Sequence, residues 1–566
     1  MGSQEAIPAS AEYFDLGSHT FRVTTRSPDA QVWFDRGLIW SYGFNHEEAA
    51  FCFEQATLHD PECAMAYWGL AYAAGPNYNQ PWSFFQGPQF EAVVQQTHKY
   101  VSQAASYAGT TSAVEKALIN ALQLRYPAEA AKPDAPWQIW NKDYARAMGA
   151  VYDEFPGNLD VAALYTDALL NMTPWQMWDI HTGKPNPEAE TEEAQRVFDE
   201  ALSLDGALRH PGLLHTYIHF IEMSPHPEAG LATADHLRLL VPDAAHLNHM
   251  PSHLDVLCGD YGRTVKSNMD AILADEHFAA RRTGRYIWAL YRAHNYHFRV
   301  YGAMLSGQSA VALDTAADLE KVLTEDLLRV EMPPLADYLE SFFSLKLHAL
   351  VRFGRWEDVI ALELPKDQAL YCATTAMTHY AKGVALAATG RVQEAEDERS
   401  KFQAALKNVL PSRRLFNNTC LDILAVAGDM LDGELEYRRG NYDVAFARLR
   451  DAIHREDHLP YDEPWGWMQP VRHALGALLL EQGRVEEAAA VYRADLGVDN
   501  SIPRPMQHPN NVWALHGYHE CLQKLGRADE AREMEAQLEA ALALADVPIQ
   551  SSCFCRIKTC SSANKL

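Results

Sequence analysis

Between Ala30 and Cys63 the chain runs AQVWFDRGLIWSYGFNHEEAAFCFEQATLHDPEC, a stretch of 34 residues. Small residues fall at Gly37, Ala49 and Ala56, aromatics at Trp40, Phe44 and Phe53, and Pro61 closes the segment. Two amphipathic helices joined by a turn near Gly43 fit this pattern. Small residues let helix backbones approach one another, and aromatic rings fill the gaps between them. At 566 residues the chain exceeds one ordinary core, so an extended array of such units, or several domains, is expected.

The same offsets return later: Gly433, Gly440, Ala445 and Ala452; Gly476, Gly483 and Ala488; Gly526 and Ala531; Gly383, Gly390 and Ala395; and, more loosely, around Gly354. One glycine or alanine at such an offset means little, but the full set is hard to obtain by chance. The pattern resembles the tetratricopeptide repeat, a helix–turn–helix unit of 34 residues, most clearly over Ala30–Cys63 and Pro211–Leu542. The expected fold is therefore all-α, a tetratricopeptide-like solenoid. Its expected divisions are an N-terminal extension (1–29), a diverged helical-repeat region (30–210), central repeats (211–310), C-terminal repeats (311–546) and a flexible tail (547–566). Within 77–207 the repeat is irregular. A long aromatic loop is expected from about Met172 to Thr191, and GPNYNQPW, Gly75 to Trp82, reads as an inter-repeat connection.

Seven of the 24 histidines lie between His215 and His253. Gly259-Asp260-Tyr261 matches an inter-helix turn, as Gly440-Asn441-Tyr442 does, and counting back places unit starts at Pro211 and Ala245, one repeat apart. His215 and His249 then share the fifth position and His219 and His253 the ninth, with Glu222 at the twelfth and His246 at the second. Residues four apart stack on one helical face. In the repeat family these positions of the first helix face an inner groove, so the resemblance implies two histidine stripes pointing into one concavity. A third unit, starting near Ala293, places His294 second, His297 fifth and Tyr301 ninth; it begins 48 residues after Ala245, so its register is less regular.

Two histidines at i and i+4 can chelate one ion, and two such helices supply a His-rich ligand set. His215, His219, His249 and His253 are the expected metal ligands, with Glu222, His297 and Tyr301 as candidate catalytic or supporting groups. A donor set without thiolate suits Fe or Cu first, then Zn or Mn. The first functional reading is a metal-dependent enzyme doing oxidative chemistry on a small organic substrate. A metal-assisted hydrolase with Glu222 as general base is a second, and a noncatalytic adaptor binding a peptide or protein partner a third. The ordinary alternative for the histidines is a structural polar network. Pro251, between His249 and His253, must either kink the helix or begin a new one. His46, near the start of a second helix, reads as a capping or solvent residue.

The formal charge of −27 argues against nucleic-acid binding, which needs clustered Lys and Arg. No run of about 18 apolar residues suggests a membrane span, and the N-terminus lacks the features of a secretory leader. A cytoplasmic protein is expected, with a weak peroxisomal alternative from the ending Asn564-Lys565-Leu566. Exposed array ends allow a homodimer.

Overall fold

The computed structural model describes residues 5–130, 136–282 and 287–556. They divide into two compact units, Met1–Leu254 with Asp270–Trp288, and Asp255–Met269 with Ala289–Leu566, rather than the five segments expected from the sequence.

In the first unit the helices are α1 (Pro28–Tyr42), α2 (His46–His59), α3 (Ala64–Ala74), α4 (Gly87–Tyr107), α5 (Ala113–Arg125), α6 (Trp137–Glu154), α7 (Leu159–Leu170), α8 (Thr191–Leu202) and α9 (Pro211–Ile221). Three short helices follow: α10 (Leu231–Asp235), α11 (Ala245–His249) and α12 (Pro251–Leu257). Their starts follow local chemistry. Asn45 caps α2 by accepting from the Glu48 amide, Ser112 and Glu115 form a reciprocal capping box at α5, and His210 caps α9 ahead of a proline at the first helical position. The first hairpin packs as its small residues demand. The Phe53 ring sits in a notch between Gly37 and Gly69, where an added methyl would come within 2.7 Å and 2.4 Å of it.

Two expectations change here. The supposed extension contributes Phe14, Leu16 and Phe21 to the core, and Trp33 Nε1 donates to the Ile7 carbonyl at 2.8 Å. The second helix of the Pro211 unit is reduced to the five residues of α10. The long loop before Thr191 is present. It carries a small antiparallel pairing of Trp178–Asp179 with Lys184–Pro185, and Trp178 Nε1 donates to the Phe220 carbonyl at 2.8 Å, tying the loop to α9.

Helices α13 (Tyr261–Arg281) and α14 (Trp288–Leu305) come next in the chain. Regular hairpins fill the second unit: Cys372–Ala388 with Val392–Leu406, Cys420–Arg438 with Tyr442–Glu456, Val471–Glu481 with Val485–Leu496, and Val512–Lys524 with Ala528–Glu533. The notch recurs, with Tyr492 held between Gly476 and Gly517. Gly259 and Gly440 turn the chain at φ 79° and 82°, where a side chain would be strained. The spacing is longer than 34, however. Gly440, Gly483 and Gly526 are 43 residues apart, and the surplus lies in long connections such as residues 457–470.

The expected flexible tail is packed as far as Arg556. Ser551 and Ser552 are buried, Ser552 Oγ donates to the His473 carbonyl at 2.7 Å, Cys553 and Cys555 form a disulfide, and Arg556 pairs with Glu520 at 2.6 Å. Cys560 and the Asn564-Lys565-Leu566 ending lie outside the described residues. Among the described residues no helix is long and apolar enough to cross a membrane.

Candidate metal centre

α9 and α11 begin at Pro211 and Ala245, as the repeat count requires. Their histidines meet in the first unit. The rings of His215 and His246 are 4.9 Å apart, those of His219 and His253 5.6 Å apart, and those of His249 and His253 4.7 Å apart. Equivalent positions of consecutive hairpins thus face one another, and the small-residue notches repeat along the chain. The fold is a tetratricopeptide-like helical-repeat array. The repeat register brings the four histidines near one another, but the array buries them. His215, His249 and Glu222 are 0% exposed and His246, the most open of the group, 5%, so they stand in an interior rather than in an open groove.

Hydrogen bonding at one nitrogen of each ring decides what the other can do. His215 Nδ1 lies 2.5 Å from the Tyr42 carbonyl, which can only accept, so Nδ1 carries the proton and Nε2 the lone pair. His219 Nδ1 donates to Glu222 Oε1 at 2.8 Å, and His253 Nδ1 to Glu222 Oε2 at 2.6 Å. The Nε2 atoms of His215 and His219 are buried with no hydrogen-bond partner in the protein. His253 Nε2 is 2.7 Å from His249 Nε2. Such anchoring of one imidazole nitrogen by carbonyl or carboxylate is how metal-binding proteins fix ligand tautomer and orientation. Burial pushes His215 down to about 3 and His219 well below the ordinary imidazole range. Both are therefore neutral, the form that binds metal.

His215, His219 and His246 each offer a ring nitrogen within 4.8 Å of the other two. Tetrahedral imidazole ligands at 2.0–2.1 Å from an ion stand about 3.3 Å apart, so modest rotamer adjustment closes the set. His246, at the second position of its repeat, completes this set, although it was not among the four expected ligands.

Glu222 takes the supporting role: both its oxygens accept from imidazole N–H groups, so it orients His219 and His253. His297 and Tyr301 fall outside the first unit. They lie on α14 in the second unit, His297 against Phe342 and Phe416 with ring centroids 5.5 Å and 6.0 Å away. Among the described residues His297 belongs to no set of converging His, Cys, Asp or Glu ligand atoms. Burial holds His297 down to about 3.

Two loops come closer to the histidines than expected. Phe44 packs its ring over His215 at 4.4 Å and stacks on His219 at 5.9 Å and His246 at 5.7 Å. Tyr78, in the segment read as a mere connection, lies 4.5 Å from the His219 ring. His46 is buried rather than solvated, its Nδ1 donating to the Ala73 carbonyl at 3.1 Å.

A second group supports the first. Asp160 Oδ1 is 2.9 Å from His19 Nε2 and 3.1 Å from His210 Nε2, and accepts from the Tyr42 hydroxyl at 2.8 Å. Burial alone would raise this carboxyl; the imidazoles of His210 and His19 more than offset it and hold it well below the usual range. His210 Nδ1 accepts the Leu213 amide, so this ring is committed to capping α9. The group fixes the start of α9 and the residue, Tyr42, whose carbonyl orients His215.

No family model and no curated protein matches the sequence. Among solved structures the array is similar to Ypp1 (9% identity, 93% of this chain and 82% of that one, TM-score 0.45). It is also similar to human IFIT1 in a dimer with m7Gppp-AAAA (11%, 91% and 97%, TM-score 0.33) and to the APC/C Cut9–Hcn1 hetero-tetramer (12%, 87% and 76%, TM-score 0.31). Similarity at this level carries no argument about function.

Proposed function

We propose that the first unit holds a transition-metal ion between α9 and α11, with His215, His219 and His246 as ligands and His249 and His253 beside them. The observation that carries this reading is the shared tautomer. Tyr42 and Glu222 tie down three Nδ1 atoms, and the Nε2 lone pairs of His215 and His219 stay buried without a hydrogen-bond partner. Leaving buried polar atoms unsatisfied is costly unless something fills the need. A neutral nitrogen donor set without thiolate suits Fe or Cu ahead of Zn or Mn, and such an ion, when bound, supplies oxygen-dependent oxidation of a small organic substrate. The chain's own residues orient the rings (Tyr42, Glu222), exclude water (Phe44, Tyr78) and keep the imidazoles neutral by burial.

The second reading is a noncatalytic adaptor. Its supporting observation is the same complete burial, which suits a structural polar network and leaves the outer faces of the array for a partner segment. Elemental analysis of protein purified without chelator separates the two. About one ion per chain, lost in His215→Ala, His219→Ala without loss of helical circular dichroism, is expected. A native protein free of metal that binds a peptide partner overturns the metal reading.

A further inference from the structure

Three arginines of the second unit are buried among the described residues: Arg352, Arg413 and Arg472. Two of them are matched by carboxylates, Arg413 by Asp337 and Arg472 by Asp457. Arg352, the last residue of the helix Ser344–Arg352, has no such partner among the described residues. Its Nη1 donates to His473 Nδ1 at 3.0 Å and its Nη2 to the Ser552 carbonyl, both neutral acceptors. The guanidinium lies 4.0 Å from the centre of the Trp513 ring. Nε is buried with no hydrogen-bond partner in the protein. Burial holds Arg352 down to about 9, and the attraction of Asp495, on the far side of His473, does not make up the difference. Arg352 is therefore still charged at neutral pH, and a buried charge without a counter-ion is costly.

Arg352 lines a cavity of about 30 Å³. One water needs about 10–15 Å³ of such space, so the cavity has room for one or two waters or a single small ion. Tyr380 lines it as well. The partner of its hydroxyl is the Met430 sulfur at 3.8 Å, a weak acceptor that leaves the O–H available. Two donors, one of them charged, thus border the space. Glu434, the one carboxylate of the wall, is already matched by Arg438 at 2.7 Å. Val351, Val384 and Leu449 add apolar surface. The chain beyond the wall residue Cys555 is held away by Glu520, whose two oxygens accept from Arg556 at 2.6 Å and 2.7 Å.

We propose that this cavity is an internal site for a small monovalent anion, chloride, held by the Nε–H of Arg352 and the hydroxyl of Tyr380. The walls dictate that chemistry: an acceptor that needs no donor in return, one negative charge, and the size of a single atom. The anion neutralises the guanidinium that also carries His473 and the Ser552 carbonyl, at the point where hairpin and tail are joined. The site lies wholly in the second unit and does not depend on the metal reading.

The test begins with crystals of the full chain grown in sodium bromide in place of chloride. An anomalous peak in the cavity, within hydrogen-bond reach of Arg352 Nε, is expected. In solution, replacing gluconate, which is too large for the cavity, by chloride at a constant ionic strength of about 150 mM keeps general screening equal. The unfolding midpoint should rise saturably with chloride, by about 2 °C. Tyr380→Phe, which keeps the ring, should raise the chloride concentration needed about fivefold. Arg352→Lys, which keeps the charge and loses the Nε–H, should abolish the bromide peak. Cavity density without anomalous signal, bromide on surface residues only, or a chloride response that Tyr380→Phe leaves unchanged overturns the proposal. The bromide map of the unaltered chain decides the matter even where Arg352→Lys fails to fold.

Discussion

In the second unit, His473 accepts from Arg352 at Nδ1 (3.0 Å) and meets Asp495 Oδ2 through Nε2 (2.9 Å), while His508 Nδ1 meets Asp495 Oδ1 (2.9 Å) and Asn511 donates to Oδ2 (2.9 Å). In the first unit, His215, His219 and His253 place Nδ1 on an acceptor; Nε2 of His215 and of His219 has no hydrogen-bond partner, and that of His253 meets His249 Nε2. Both groups are buried and both contain a carboxylate between two rings. The first arrangement is closed: Arg352 on one side and Asp495 on the other use both nitrogens of His473, and the group ties hairpins and tail together. The second is open, because its carboxylate fixes tautomers and leaves donor atoms over. Histidine count does not separate a structural network from a ligand set; the occupation of the second nitrogen does.

That contrast can be broken at four points. The largest effect is expected for Asp495→Ala, which strips a buried carboxylate from two imidazoles. Stability should fall by about 3–5 kcal/mol in urea unfolding with metal content per folded chain unchanged; a loss of metal would erase the distinction. Glu222→Gln comes next. An amide can accept from one ring but not both, so His219 or His253 must change tautomer, and metal affinity by chelator competition should drop about 10–100-fold. Unaltered affinity would show that Glu222 does not orient ligands.

The third concerns pH. Burial, opposed by Asp495, leaves His473 at about 4 in the folded chain, against about 6.5 when unfolded. Between these values the unfolded chain binds a proton that the folded chain refuses. The contribution of His473 is therefore present above about 6.5 and lost as pH falls toward 4. The destabilisation caused by His473→Gln should be smaller at pH 5 than at pH 7 by about 2 kcal/mol; a cost independent of pH contradicts a closed, neutral ring. The smallest effect is expected for Tyr42→Phe. Loss of the hydroxyl donated to Asp160 should cost about 1 kcal/mol, and metal affinity should hold, because the main-chain carbonyl orients His215.

Much of this was legible in residue order. Pro211 and Ala245 begin helices because proline suits a first helical position and because the turn glycines fix the count. The pairing of His215 with His219 and of His249 with His253 followed from the same count. The pitch of 43 did not, since long connections leave no periodic signature. The partners that define the centre were hidden for a simpler reason. The carbonyl of Tyr42 is main chain, 173 residues from His215, and no side-chain pattern announces it. Phe44 was read as repeat core, and only its backbone angle sets it apart from the glycines that fill the same turn elsewhere. The burial of Ser551 and Ser552 was equally illegible, because serines in a polar terminus look like solvent-facing chain until a cleft receives them.

Pro251 separates α11 from α12, so His249 and His253 stand on opposite sides of a break in the helical ladder. His215 and His219 ride one continuous rod, whereas this pair rides two short pieces joined at a hinge. Glu222, which accepts from both His219 on the rod and His253 beyond the break, ties the second piece to the rod across that interruption.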